Sequence, residues 1–449
     1  MRVKLKNAAG RYALNCKKRK KNGESMNVLL IGNGGREHAI AQALKKSPKV
    51  NKIYAMKGNA GIGEIAELVN VDYCDIKAVG EWVDAHKDVD YTVIAPDDPL
   101  ALGLADELES RGHRVFGPNK NAAIIEASKA FSKELMKKYN IPTANYETFS
   151  DYEKAKAYVE TCDIPVVLKA DGLALGKGVL ICKTREEALS GLKEMMLEAK
   201  FGKAGATVVV EEFLEGPEVS CLAFTDGKTM IPMVTSCDHK RALDGDEGLN
   251  TGGMGTFSPA PFYGEKTAKE VMEKIMLPTM YAMNAEGRTF KGVLYFGLMK
   301  TKDGMKVIEY NSRFGDPETQ VILPMLKTDL MEIFEAVTDE RLSEIKIEWE
   351  EGACVCVVLA SGGYPSAYEK GKEIQIGELD KGVVLCHAGT KMSGGKLVTD
   401  GGRVLGVCAK GETVEEARKL AYKNVEKINF EKMHYRKDIG VKYRDITRE

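Results

Sequence analysis

The chain has 449 residues, 44% hydrophobic and 29% charged, a length that calls for two to four domains in an ordinary globular enzyme. Its net charge of −1 is unevenly spread: Met1–Ser25 carries nine Lys or Arg and one Glu, leaving 56 basic against 65 acidic residues in the rest. A mildly acidic body argues against nucleic-acid binding, and no apolar run is long enough to span a bilayer.

The basic leader, with Lys17-Lys18-Arg19-Lys20-Lys21, lacks the apolar stretch of a secretory signal and the Ser content of a transit peptide. Residues 1–25 are expected to be a disordered extension or an upstream start, because Met26 directly precedes the first strand. Ten cysteines are scattered without a Cys-x-x-Cys pair, and Cys354 and Cys356 share one face of an apolar strand. Reduced thiols in a cytoplasmic protein fit that pattern. The six histidines give no zinc spacing.

From Asn27 to Gly117, short apolar strands at Val28–Ile31, Ile53–Met56, Tyr91–Ala95 and Val115–Phe116 alternate with amphipathic helices, predicting a βαβ domain with a parallel sheet. The first strand leads into Gly32-Asn33-Gly34-Gly35-Arg36-Glu37-His38, where glycines let backbone N–H groups approach a phosphate at the helix start. A dinucleotide fingerprint would need glycine where Glu37 stands, and no acidic residue ends the second strand, so a nicotinamide cofactor is disfavoured. Arg36 suits a sugar monophosphate; a tight turn packing helix on strand is the other reading.

A helix around Ala130–Lys138 opens a mixed region. Strands Val166–Lys169 and Gly178–Ile181 flank a glycine-rich loop, Thr207–Val210 is a third strand, and helix Arg185–Leu197 packs between them as a small lobe. The loop Ala170–Gly178 fails as a P-loop: its glycine spacing is one short, no Ser or Thr comes after Lys177, and a strand rather than a helix succeeds it. It reads either as a solvated hairpin or as a flap over a triphosphate, with Lys169 and Lys177 neutralising phosphate oxygens. The acidic stretch after Val208–Val210 can offer backbone groups to an adenine edge and Glu218 to ribose hydroxyls.

Strands near Glu218–Phe224 and Thr229–Val234 precede a long polar loop, Ser236–Thr256, whose charge and glycine suggest a substrate-facing or a solvated loop. A helix over Lys266–Ala285 and paired strands Gly292–Met299 and Lys306–Tyr310 come next. On the last strand Glu309 and Asn311 project together while Ile308 and Tyr310 point into the core. Two oxygen donors without His or Cys suit a hard cation bridging phosphates, although an edge strand with a polar face would look the same. From Ala353, short strands with Gly turns and a helix Val414–Ile428 read as a separate compact module.

Taken in order, Gly32-Asn33-Gly34-Gly35-Arg36-Glu37-His38, Ser128-Lys129, Lys169-Ala170-Asp171-Gly172, Glu211-Glu212-Phe213, Asp238-His239-Lys240-Arg241, Asn250-Thr251-Gly252-Gly253-Met254-Gly255 and Asn311-Ser312-Arg313-Phe314-Gly315-Asp316-Pro317-Glu318 closely resemble the glycinamide ribonucleotide synthetase (phosphoribosylamine-glycine ligase) family of the ATP-grasp superfamily. The resemblance covers Met26 to about Arg444. It implies an α/β and α+β multidomain fold: a parallel-sheet βαβ domain over 26–127, a two-lobed ATP-grasp centre over 128–352 with a lid lobe at about 148–217, and a small β-rich α+β domain over 353–449. The implied reaction joins glycine to 5-phosphoribosylamine at the expense of ATP, through glycyl phosphate, in de novo purine synthesis.

The resemblance also implies roles. Glu309 and Asn311 would ligate Mg2+ or Mn2+. Lys129 and Lys169 would contact ATP phosphates under a lid with Gly172, Gly176 and Lys177. Glu211, Glu212, Phe213 and Leu214 would hold adenine, and Glu218 the ribose. Arg313 would orient the glycine carboxylate and Asp238 its ammonium. Gly34, Gly35, Arg36 and Glu37 would cradle the sugar phosphate, with Asp97, Lys240, Arg241 and Asn250 as further substrate contacts. The implied partners are small molecules only, with neither nucleic acid nor membrane, in a cytoplasmic monomer or weak dimer. Asp97 stands where the family usually has Glu, and Leu249 where it often has Pro; both touch substrate contacts rather than the metal ligands. Competing readings are another ATP-grasp ligase or a biotin-dependent carboxylase subunit, opposed by the 238–241 and 250–255 motifs. A nicotinamide oxidoreductase is opposed by Glu37, and a non-catalytic nucleotide-binding protein by the two metal donors.

Overall fold

In the computed structural model, which describes residues 25–173, 178–198 and 205–443, residues 26–116 alternate strand and helix as their apolar spacing predicts. Strands β1 (Met26–Gly32), β2 (Val50–Lys57), β3 (Glu67–Val69), β4 (Tyr91–Ile94) and β5 (Val115–Phe116) form a parallel sheet in the order β3-β2-β1-β4-β5. Val28, Leu29, Leu30 and Ile31 are all buried, because crossover helices cover both faces of such a sheet. The strand order reverses between β1 and β4. That switch point opens a crevice at their C-terminal ends, where the helix starts that carry Arg36 and Asp97 lie.

A second sheet is antiparallel: β6 (Tyr146–Phe149), β7 (Val166–Ala170), β8 (Val179–Cys182) and β9 (Val208–Glu212), in the order β6-β9-β7-β8. Its helices have polar starts that fix their first turns. At Thr184 the hydroxyl accepts from Glu187 N–H while the Glu187 carboxylate accepts from the Thr184 amide. This small lobe has its own core around Leu168, Leu192 and Val208.

Next come β10 (Glu218–Thr225), β11 (Met230–Pro232), β12 (Cys237–Asp238), β13 (Arg241–Leu243), β14 (Glu247–Asn250), β15 (Gly255–Ser258), β16 (Gly292–Thr301) and β17 (Gly304–Asn311). A third sheet runs β11-β10-β16-β17. The expected polar loop 236–256 is in fact structured: β12 pairs with β15, and β13 with β14 as a hairpin. Buried Cys237, Ala242, Met254 and Phe257 anchor it, apolar positions too sparse to show a period in the sequence. The helix after it starts at Glu265 and passes through a π turn, Met272–Met276, before ending at Ala285.

β17 carries a bulge. Gly297 faces Glu309 but Leu298 faces Val307, so Ile308 is an extra residue between them. Strict alternation therefore fails: Val307 and Tyr310 enter the core, whereas Ile308 lines the cleft with Glu309 and Asn311, correcting the expectation that Ile308 is a core residue.

The last stretch contributes β18 (Ala353–Ala360), β19 (Gln375–Ile376), β20 (Val384–His387), β21 (Thr390–Ser393), β22 (Lys396–Thr399), β23 (Arg403–Gly411) and β24 (Ile428–Asn429). Its main sheet runs β12-β15-β18-β23-β20, so it is shared with the region before residue 352 instead of standing apart. All eight residues of β18 are buried, and β15 covers the edge that would otherwise be left open. The final helix ends at Val425, and Ile428 pairs with Ile376 rather than extending it. One apolar core joins Leu135, Val307, Val357 and Val425. No helix among the described residues is long and apolar enough to cross a membrane.

Candidate active site

A cleft of about 640 Å³ lies between the small lobe, β17, the β13–β14 hairpin and the last sheet. Lys129, Lys169, Gly172, Glu211, Glu212, Phe213, Leu214 and Glu218 line one side. Asp238, Lys240, Arg241, Asn250, Glu309, Asn311 and Arg313 line the other, with Arg36 and Asp97 at the N-terminal sheet. Gly34, Gly35 and Glu37 sit behind that lining, and Gly176 and Lys177 lie outside the described residues.

The end of β17 concentrates charge. Burial alone would raise the Glu309 carboxyl, but Lys240, Lys169 and Lys129 outweigh it and hold the group below the usual range. Lys240 Nζ lies 3.6 Å from Glu309 and 3.5 Å from Glu218. Arg313 pairs with Glu126 at 3.0 Å, while the other Glu126 oxygen accepts from the Ser312 amide and hydroxyl, both at 2.8 Å. Arg313 Nε is buried without a partner. Glu126 and Asp97 keep this guanidinium charged despite its burial.

An ionised carboxylate and an amide oxygen on one strand fit a hard divalent cation. Among the described residues no group of three His, Cys, Asp or Glu could hold a metal by itself. A cation here would thus take its remaining ligands from phosphate oxygens and water, as small hard cations do.

On the Glu211 side of the cleft the lysines are fixed by the fold. One Glu211 oxygen accepts from Lys133 at 3.0 Å and from Lys169 at 2.9 Å, and Lys169 also donates to Ile308 O at 2.9 Å. Burial pushes the Lys133 ammonium down to about 8, against the pull of Glu211. Lys129 donates to Gly172 O at 2.9 Å, and Asp171 accepts from the Ala130 amide at 3.0 Å, tying the helix start to the glycine loop. Glu211, expected to act through its backbone, thus also uses its side chain to hold two cations.

Opposite, Asp238 accepts from the His239 amide at 2.7 Å, and burial together with the nearby Glu318 raises its carboxyl well above the usual range. Gly253 has φ +115°, and a Cβ there would sit 2.5 Å from Pro317 and 2.8 Å from Asp238, so only glycine fits between them. Arg403 holds the same turn: it pairs with Asp316 at 3.1 Å and donates to Gly252 O at 2.7 Å and Asp316 O at 2.8 Å. His239 is fully buried with both ring nitrogens unpartnered, and burial lowers it to about 3, so it is neutral.

At the N-terminal sheet Gly34, Arg36 and Glu37 bond to one another. Gly34 N–H, expected to approach a phosphate, donates to Glu37 at 2.6 Å, and Arg36 Nε pairs with the other Glu37 oxygen at 2.6 Å. Arg36 Nη1 donates to Phe314 O at 3.1 Å. Gly32, at φ +120°, lets the Glu37 side chain pass 2.5 Å from where a Cβ would be.

Sequence reasoning missed Glu126, Lys133 and Arg403. Lys133 stands on the helix expected around Ala130–Lys138, Glu126 stands near the end of a helix, Lys120–Ala127, that the spacing did not announce, and Arg403 is a lone cation at the start of a strand; nothing local marks any of them. Asp316 and Glu318 belong to the 311–318 motif, but the resemblance gave them no role.

Models of the Phosphoribosylglycinamide synthetase family match along the chain: the N domain over 26–126, the ATP-grasp (A) domain over 127–319 and the C domain over 354–442. A phosphoribosylamine–glycine ligase of Caldanaerobacter subterraneus subsp. tengcongensis is 49% identical over 418 residues, 93% of this chain and 100% of that protein. The crystal structure of a phosphoribosylamine–glycine ligase from Thermotoga maritima is 36% identical with a TM-score of 0.78, covering 92% of this chain and 100% of the other. A Hydrogenobacter thermophilus biotin carboxylase domain in complex with MgADP and bicarbonate has a TM-score of 0.71 over 91% of each chain, but at 15% identity it shares the fold alone.

Proposed function

The chain belongs to the phosphoribosylglycinamide synthetase family, and from that premise we propose that its cleft ligates glycine to 5-phosphoribosylamine with ATP, giving glycinamide ribonucleotide, ADP and phosphate in purine synthesis. A carboxylate resists nucleophiles because its charge repels them. A glycine carboxylate oxygen therefore attacks the γ-phosphorus and the β–γ bridge breaks toward ADP, leaving glycyl phosphate. The sugar amine then adds its lone pair to the acyl carbon, the carbon–oxygen bond to phosphate breaks, and the nitrogen gives up a proton. Holding the reactants together and keeping water from the acyl phosphate supply most of the catalysis.

In this reading Lys129 and Lys169 hold ATP phosphates together with Gly172, Gly176 and Lys177. The segment Glu211, Glu212, Phe213 and Leu214 receives adenine, and Glu218 the ribose. Arg313 orients the glycine carboxylate and Asp238 its ammonium. Gly34, Gly35, Arg36 and Glu37 receive the sugar phosphate, with Asp97, Lys240, Arg241 and Asn250 around the rest of the substrate. Enzymes of this superfamily use ATP with a divalent metal ion; here Glu309 and Asn311 would hold Mg2+ or Mn2+, which neutralises charge on the transferred phosphoryl group. The units we assign are 26–127, 128–352 with its lid lobe at about 148–217, and 353–449, working in the cytoplasm as a monomer or weak dimer. Free thiols at every described cysteine suit such a compartment.

The observation that carries the reading is the meeting, in one cleft, of an ionised Glu309, the fixed cations Lys129 and Lys169, and an Arg313 kept charged by Glu126. Its test is phosphate release from ATP. Release should need glycine and freshly made phosphoribosylamine together; turnover with other amino acids, or none with this pair, would overturn it.

A further inference from the structure

The β13–β14 hairpin has little apolar anchorage of its own: Leu243 and Leu249 are exposed, and Ala242 is its one buried residue. The chain's residues 434–443 supply what is missing. His434 Nε2 lies 2.7 Å from Ala242 O, the Lys437 amide donates to Asp244 at 2.7 Å, and Asp438 accepts from the Gly245 amide at 2.9 Å. Arg436, 1% exposed, is central. It donates to Arg241 O at 3.1 Å and to Asp246 at 2.9 Å, and forks onto Asp438 at 2.7 and 2.6 Å.

Asp246 is the hub on the hairpin side. Its second oxygen takes Lys442 Nζ at 2.8 Å, and it keeps φ at +58°, a conformation that residues with a Cβ hold only where surroundings enforce it. Past Lys442, the Tyr443 hydroxyl accepts from the Glu218 amide at 3.0 Å, at the start of β10. The segment thus bridges the hairpin to the nucleotide wall.

We infer that residues 434–443 form a positioning strap, pinned by Arg436, that holds the hairpin and with it Arg241, Asn250 and the adjoining Lys240 against the glycine and sugar-amine end of the cleft. The inference rests on the proposed assignment of that end of the cleft. A buried guanidinium shared by two carboxylates behaves as a unit, because removing one member leaves the others charged and unpaired. Arg436 touches no reactant in this scheme and acts only through the hairpin.

The test compares the full chain with Arg436→Ala and Arg436→Lys. In Arg436→Ala, amide hydrogen exchange over 241–250 should rise at least about tenfold, and KM for glycine and phosphoribosylamine should rise about tenfold, while the ATP dissociation constant stays within about threefold. Arg436→Lys should recover part of both, since it restores the charge without the fork. If Arg436→Ala does not fold, Asp438→Asn, which loosens the Arg436 fork and the Gly245 contact away from the cleft lining, gives the same pattern at smaller size. Unchanged exchange and KM in a folded variant, or ATP binding that weakens in step with the other substrates, would overturn the strap. Exchange is measured without substrates, so failure of the strap is distinct from failure of the assigned reaction, which would show as no glycine-dependent turnover in the parent chain.

Discussion

At the end of β17 the charges facing the cleft are balanced from across it, whereas at the helix start after β1 they are balanced from within. Glu309 is kept ionised by Lys240, Lys169 and Lys129, which stand on three other segments. Arg36 and Glu37, by contrast, are sequence neighbours bonded to each other at 2.6 Å, with Glu37 also closing on the Gly34 amide. A ligand joining the first region adds to a field already arranged for it, at little reorganisation cost. A phosphate entering the second region must displace Glu37 or settle for the unshared face of Arg36. The two ends of one cleft thus differ in preorganisation, and substitutions should separate them.

The largest effect is expected at the preorganised end. Glu309→Ala should lower kcat about a thousandfold at saturating divalent metal, roughly 4 kcal/mol of barrier, with the fold intact by circular dichroism. Turnover within about tenfold of the parent would remove the carboxylate from the metal assignment. Glu126→Gln keeps the shape around Ser312 but strips the countercharge from Arg313. It should cost about a hundredfold in kcat/KM for glycine and leave the KM for ATP alone; equal losses for both substrates would place Arg313 elsewhere than at the glycine.

Behind the β1 loop, His38 Nδ1 accepts from the His387 amide at 2.8 Å. Burial first and His387 second lower His38 to about 3, and burial lowers His387 to about 4. Both folded values lie below the ordinary 6.5, so the unfolded chain takes up protons first. Stability is whole above pH 6.5 and falls as pH drops toward 4, by about 2 kcal/mol per ring between pH 7 and pH 5. Urea midpoints at those two pH values measure it, and His38→Gln should remove about half of the difference, leaving the His387 share; a profile unchanged by that substitution would mean the ring is hydrated. The smallest effect is at the self-paired arginine. Arg36→Lys should raise KM for phosphoribosylamine about tenfold without touching ATP, because ammonium cannot span Glu37 and Phe314 O together.

The parts legible in the sequence were those set by local spacing. The solid apolar run Val28–Ile31 announced a doubly covered parallel strand, and the separation of Glu309 from Asn311 placed both on the cleft side of β17. The bulge at Ile308 was invisible because it depends on how Leu298 and Gly297 pair across the sheet. Glu126 was equally hidden: it meets Ser312 across 186 residues of chain, and nothing near Glu126 marks it as a partner. The Gly34 amide looked open because a glycine-rich turn shows which backbone groups exist but not that Glu37 folds back over one of them. The hairpin 241–250 read as loop for a related reason, since its hold comes from Arg436 and not from apolar periodicity of its own.

The most direct measurement tracks the carboxylate oxygens of glycine. With glycine labelled by 18O in its carboxylate, single-turnover product analysis by mass spectrometry should find one labelled oxygen in each inorganic phosphate released, because the acyl phosphate bridge leaves with phosphorus when nitrogen attacks. Label retained wholly in the glycine-derived product, with unlabelled phosphate, would contradict a phosphorylated carboxylate in this cleft.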